Sequence, residues 1–202
     1  MSSDHYFSAT PASADERRTI SVELNGRSLD VQTASGIFSP TGLDKGTAVL
    51  LEHVPAPRGT VLDIGCGWGP IAMTAALQNP EGTVYGVEVN ERSIELARLN
   101  AQSLGLGNLR VARPQEIDPD VQFDTIWSNP PIRVGKDALH ELLLLWLPRL
   151  APGGEAWMVV QKNLGSDSLQ KWLVGQLPAS WSVTRETSSK GFRILKVSRP
   201  GH

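Results

Sequence analysis

The 202-residue chain is 40% apolar and 20% charged, with a formal net charge of -2. This suits one domain with a substantial core and excludes the overall basic excess of a general nucleic-acid binder. A single cysteine, Cys66, excludes an internal disulfide framework and a cysteine-based zinc site, and no other cluster of residues points to a metal. The first 18 residues have no apolar core segment, so no signal peptide is expected. The densest apolar run, LLLLWL at 142–147, is too short to span a bilayer, and a cytoplasmic location is the expectation.

Residues 1–18 are polar and of mixed charge, and they read as a flexible N-terminal arm ahead of a single domain over 19–202. In 19–34, TISVELNGRSLDVQTA, apolar and polar residues alternate around Asn25-Gly26, a strong hairpin signal. Over 35–54, Leu43, Thr47, Leu50, Leu51 and Val54 share one helical face. Hairpin and helix make an extension, 19–54, in front of a core, 55–202. From residue 60, strands alternate with helices. A strand at 60–64 is followed by a helix over PIAMTAALQ, a strand at 83–89, and a helix through Ile94, Ala97, Ala101 and Leu104. Strands at 108–113 and 123–129 come next, then an amphipathic helix at 137–150 that stops at PGG. A strand at 155–161, a helix near 167–177 and the terminal strands WSVTRE and FRILKVS complete the chain. This alternation predicts a doubly wound, Rossmann-like α/β sheet, mostly parallel with an antiparallel C-terminal strand. Ligands bind such sheets beyond the carboxyl ends of the strands, where strand order reverses.

VLDIGCGWGP at 61–70 follows the first strand of this core and opens a helix. Gly65 and Gly67 let the backbone turn tightly and approach a ligand closely. Glu88 ends the next strand 23 residues after Gly65, where a carboxylate can accept both ribose hydroxyls of an adenosine, with Val89 beside it. A dinucleotide fingerprint wants its third glycine one residue later than Gly69. Asp63, at the strand end, offers a carboxylate to a ligand's ammonium group, which the methionine part of S-adenosylmethionine has and a nicotinamide dinucleotide lacks. The motif with its downstream acid resembles motifs I and II of class I S-adenosylmethionine-dependent methyltransferases. Cys66 stands between two glycines on the cofactor side, so it reads as a small side chain there rather than a nucleophile.

SNPPIRVGK at 128–136 leaves the strand at 123–129 through two prolines that cannot continue it. In a 3-2-1-4-5 order this strand neighbours the first one, and Asn129 emerges beside the glycine loop. The turn resembles the N-P-P-aromatic motif of amine- and amide-methylating enzymes. The lone pair of an exocyclic amine is delocalised into its ring. The Asn129 side-chain oxygen and the Pro130 carbonyl can accept its two N–H groups and aim the lone pair, with Pro130 and Pro131 stiffening the acceptors. HYFS at 5–8, SGIFSPTGLDKGT at 35–47, LDIGCGWGPI, VEVNERSIELARLNA, SNPPIRVGK and VVQKNLG occur in order. Together they resemble the small methyltransferase domain of the ribosomal RNA guanine-N2 methyltransferases. The resemblance implies S-adenosylmethionine as cofactor and a guanine N2 amine in small-subunit ribosomal RNA, free or in the subunit, as substrate.

Two positions depart from the family pattern. Ile132 stands where an aromatic usually stacks on the base, which leaves that grip to Phe38 or Tyr6, with Trp68 as a further candidate. Gln115 stands where an Asp usually accepts from the adenine amine. For RNA contact, Arg133 and Lys136 follow the turn directly, and residues 163–202 carry six basic residues against two acidic ones, Lys190 among the former. Gln161 and Lys162 end a strand on the ligand side, and His140 reads as a surface residue. Two other readings remain open at this point: methylation of a protein glutamine amide, and a non-catalytic RNA-binding or assembly factor on the same fold.

Overall fold

The computed structural model describes residues 15–201. HYFS, with Tyr6, lies outside the described residues, as does most of the expected arm; Arg17 and Arg18 already belong to a strand. Strands β1 (Arg17–Leu24) and β2 (Arg27–Ala34) pair antiparallel from Arg17↔Ala34 to Leu24↔Arg27. Asn25 and Gly26 turn at φ 51° and 68°, the positive values that a two-residue hairpin of matching twist requires. The apolar side of this hairpin, Val22, Leu24 and Val31, is buried in the main core. Helix α1 (Lys45–His53) follows, with Asp44 as N-cap accepting from the Thr47 N–H. Thr47, Val49 and Leu50 form its buried face.

The core elements are β3 (Thr60–Ile64), α2 (Pro70–Gln78), β4 (Thr83–Val87), α3 (Glu91–Ser103), β5 (Leu109–Ala112) and β6 (Phe123–Ser128). They continue as α4 (Lys136–Trp146), β7 (Leu150–Gln161), α5 (Ser166–Gln176), β8 (Ser182–Ser189) and β9 (Phe192–Ser198). The seven strands lie in the order β5-β4-β3-β6-β7-β9-β8, and the pairings run parallel except those that β9 makes with β7 and β8. The expected mostly parallel sheet with one reversed C-terminal strand is therefore found, and β6 does neighbour β3. The order reverses between β3 and β6, which opens a crevice at their carboxyl ends.

One face of the sheet packs with the hairpin, α1, α2 and α3 around Trp68 and Trp127; the other packs with α4 and α5 around Phe123 and Trp146. Asn100 of α3, fully buried, accepts from the Gln32 N–H at 2.7 Å and donates to the carbonyls of Gln32 and Trp68. It bolts the hairpin to the glycine loop. Two boundaries differ most from the sequence expectation, while β4 and β6 stop just short of Glu88 and Asn129. Helix α4 ends at Trp146 rather than 150, since Pro148 cannot supply the next N–H. Strand β7 begins at Leu150 rather than 155, so PGG lies inside a strand. A Cβ at Gly154 would stand 2.8 Å from the Ala151 carbonyl and 2.9 Å from that of Phe123. The glycine serves this close approach beside the register shift opposite Phe123.

Candidate active site

A cavity of about 520 Å³ opens at the crevice, a size suited to a small-molecule ligand. Its wall on the β3–β4 side includes Gly65, Glu88, Val89 and Ser93. The N–H groups of Gly65 and Cys66 both donate to the Val87 carbonyl, which folds the loop back at a Gly65 φ of 74°. A Cβ at Gly65 would meet no atom within 4 Å, so the backbone there stands open to the cavity. The Glu88 carboxylate is gripped from behind: Oε2 accepts the Gly67 N–H at 3.0 Å, and Oε1 accepts those of Val89 at 2.7 Å and Asn90 at 3.0 Å. A carboxylate has about four lone-pair directions, so capacity remains toward the cavity.

The facing wall is the turn after β6: Asn129, Pro130, Pro131, Ile132 and Arg133. Asn129 Nδ2 donates to Asp44 Oδ2 at 2.8 Å and to Thr47 Oγ1 at 3.1 Å. A carboxylate only accepts, so this partner identifies the nitrogen and leaves the amide oxygen turned elsewhere. The Pro130 carbonyl already accepts the Ile132 N–H at 2.8 Å, across a Pro131 held at φ -74°, ψ 74°. This is an inverse γ-turn, and one lone pair of the expected acceptor is occupied by it.

Phe38, Phe192 and Trp146 contribute aromatic surface to the cavity, and Gln161 lies at its edge. Phe192 and Asp44 went unread in the sequence. Asp44 carried a signal as a helix N-cap in LDKGT, whereas Phe192 comes from the distant start of β9. Trp68 is packed in the core with Nε1 donating to the Ser39 carbonyl at 3.2 Å. Four expected cofactor residues do not form the wall as anticipated. The Asp63 carboxylate does not face a ligand's ammonium group: it is fully buried, accepts the Ala72 N–H of α2 at 3.0 Å, and burial pushes its pKa well up. Cys66 is buried with its sulfur against Gly86, and burial likewise drives its thiol up, away from a nucleophilic thiolate. At the β5 end the wall is Pro114, while Gln115 is exposed outside it. Gly67 stands behind the wall as the amide donor to Glu88.

Arg133 and Lys136 are exposed, and neither takes part in an ion pair with a described residue. The terminal basic residues are different. Lys190 pairs with Glu52 at 2.8 Å, Arg193 with Asp167, and Lys196 with Glu155 at 2.9 Å, while Arg199 donates to the Leu150 carbonyl. Most of the C-terminal positive charge is thus engaged within the protein. His140 is half-buried and stacks on Trp172, ring centroids 3.5 Å apart, and burial lowers its pKa.

Comparison with known proteins bears on the family and the fold. The chain is 32% identical to the uncharacterized protein YbxB of Bacillus subtilis, over 98% of this chain and 99% of that one. It is 30% identical to ribosomal RNA small subunit methyltransferase C of Pseudomonas entomophila, over 97% of this chain but 58% of the relative, so it spans little more than half of that protein. Among solved structures, the Thermus thermophilus 16S rRNA N2 guanine methyltransferase in complex with AdoMet and guanosine superposes with a TM-score of 0.77 at 20% identity, over 94% of this chain and 52% of that one. A methyltransferase from Pyrococcus furiosus superposes with a TM-score of 0.64 at 22% identity, over 82% of this chain and 88% of that one. The methyltransferase small domain family matches residues 28–196. With the reversed β9, the glycine loop and the Asn-Pro-Pro turn in one crevice, the chain belongs to the methyltransferase small domain family.

Proposed function

We propose that the protein transfers a methyl group from S-adenosylmethionine to the N2 amine of a guanine in small-subunit ribosomal RNA. The observation that carries this reading is the Asn129 amide. Its two N–H groups are engaged by Asp44 and Thr47 on the wall opposite Gly65 and Glu88, which leaves its oxygen to accept an amine N–H. The open backbone at Gly65 and the amide-held Glu88 fit an adenosine with its ribose hydroxyls on the carboxylate. When bound, S-adenosylmethionine supplies an electrophilic sulfonium methyl. The protein's own part is positional: the Asn129 oxygen and the second lone pair of the Pro130 carbonyl hold the amine, and the γ-turn fixes where that carbonyl points. Phe38 and Phe192 supply the aromatic surface for a base that Ile132 lacks. The relatives named for ribosomal RNA methylation support this choice of substrate.

The test is transfer of a radiolabelled methyl group to deproteinised ribosomal RNA, to small ribosomal subunits and to total protein, followed by nucleoside analysis. Label in N2-methylguanosine is the expected result. Label in protein glutamine, or binding of S-adenosylmethionine with no transfer to any of the three, would overturn the reading.

A further inference from the structure

We propose that Asp44 selects guanine by accepting the ring N1–H that adjoins the target amine. This inference rests on the function proposed above. Asp44 lines the cavity next to Asn129, and its two oxygens are used unequally. Oδ2 accepts both the Thr47 N–H at 3.1 Å and Asn129 Nδ2 at 2.8 Å. Oδ1 has no hydrogen-bond partner among the described residues. A carboxylate held by one oxygen therefore presents the other beside the amide that positions the amine.

The nucleobase edges differ at that place. In guanine the amine at C2 adjoins N1–H, a donor. In adenine the amine at C6 adjoins N1 without a proton, and in cytosine the amine at C4 adjoins an unprotonated N3; both are acceptors. An acceptor facing the Asp44 carboxylate leaves two lone pairs opposed and buried groups unpaired, a costly arrangement. A glutamine amide presents no N–H beside its amine and leaves Oδ1 unpaired as well. The geometry thus rewards one base among those with an exocyclic amine. Asp44 does two things with one carboxylate: it orients Asn129 through Oδ2 and reads the base through Oδ1.

A short RNA fragment carrying the unmethylated target guanosine tests this, alongside the same fragment with 2-aminopurine at that position. 2-Aminopurine keeps the C2 amine but has no proton on N1. The second protein is Asp44→Asn. Its amide oxygen can still accept from Thr47 N–H and Asn129, while its NH2 replaces Oδ1 with a donor suited to a bare N1. Asn is also an effective helix N-cap, so α1 keeps its start. The wild type is expected to prefer guanosine by about tenfold to a hundredfold in kcat/KM, and Asp44→Asn to lower or invert that ratio. S-adenosylmethionine affinity, measured by calorimetry, reports that the variant is folded. Equal use of both fragments by the wild type would overturn the inference, as would an unchanged ratio in Asp44→Asn. Asp44→Ser, which can cap α1 but is too short to reach the base, serves if the Asn variant does not fold; it is expected to lose the preference, and a wild-type ratio in it would overturn the inference. A wild type that methylates no guanosine fragment or ribosomal RNA would overturn the proposed function itself.

Discussion

The two polar atoms of the Asn129 side chain divide the work between them. The nitrogen is spent on Asp44 and Thr47, and the oxygen is left for the substrate. Asn129→Ala should therefore leave S-adenosylmethionine affinity near the wild-type value while methyl transfer falls by on the order of a hundredfold or more. Calorimetry and single-turnover transfer separate the two, and transfer at the wild-type rate would refute the role. Asp63 makes a different expectation. Its carboxyl is raised above the ordinary value by burial, against one amide bond from Ala72 and with Glu88 adding to the rise. The folded chain holds this proton more tightly than the unfolded one. The resulting stability is present at low pH and is lost as pH rises from the ordinary carboxylate value through the folded one. Asp63→Asn keeps a neutral acceptor for Ala72 and removes that loss. Urea unfolding at about pH 5 and about pH 8 should show the variant gaining on the wild type as pH rises, and parallel profiles would show that Asp63 stays ionised. Asn129 and Glu88 could be placed at the crevice from sequence because each stands just past a strand, beside a turn motif. Asp44 was not, because its meaning depends on a contact to a residue 85 positions away.

Helix α1 carries its part of the site on its first turn, where Gly46 lies between three functional side chains. A Cβ at Gly46 would stand 3.0 Å from Asp44 Oδ2, 3.0 Å from the Phe192 ring and 3.3 Å from Asn129 Nδ2. Gly46→Ala adds helix propensity of about 1 kcal/mol, so thermal stability should hold or rise. The same methyl group displaces Asn129 and Asp44, and transfer should fall by roughly tenfold or more. A thermal melt and a transfer assay on one preparation check both, and undiminished transfer would show that the three side chains yield without cost. The elements themselves followed from pattern where local chemistry dominates: Asn25-Gly26 announces the hairpin, the apolar run between Gly59 and Gly65 announces β3, and the one that stops at Asn129-Pro130-Pro131 announces β6. The start of β7 did not follow. PGG has the composition of a turn, and only the carbonyls of Ala151 and Phe123 reveal why glycine stands inside a strand.

At the scale of the whole molecule, charge decides how RNA would be held. Sequence placed a basic excess in the last forty residues, but Lys190, Arg193 and Lys196 are paired internally, and residue counts cannot show that. Among the cations expected to face RNA, Arg133, on the cavity wall, and the exposed Lys136 three residues on make no ion pair with a described residue. Binding of ribosomal RNA should show a log-log salt slope of magnitude about 2, since each phosphate contact contributes somewhat less than one unit. Changing Arg133 and Lys136 together to Glu should bring the slope close to zero and weaken binding without altering S-adenosylmethionine affinity. Filter binding across a salt series measures it, and an unaltered slope would place the RNA on another face.

The reversal of β9 has a consequence for how this fold diversifies. Because the strand runs backward, its first residue, Phe192, pairs with Gln161 at the ligand end of β7, and the two-residue tip formed by Lys190 and Gly191 hangs beside the cavity. A hairpin tip is the part of a protein that best tolerates inserted residues. Segments grafted between Ser189 and Phe192 would extend over the mouth without entering the sheet. An insertion there is expected to change what reaches the cavity while leaving β3, β6 and the turns that follow them in place.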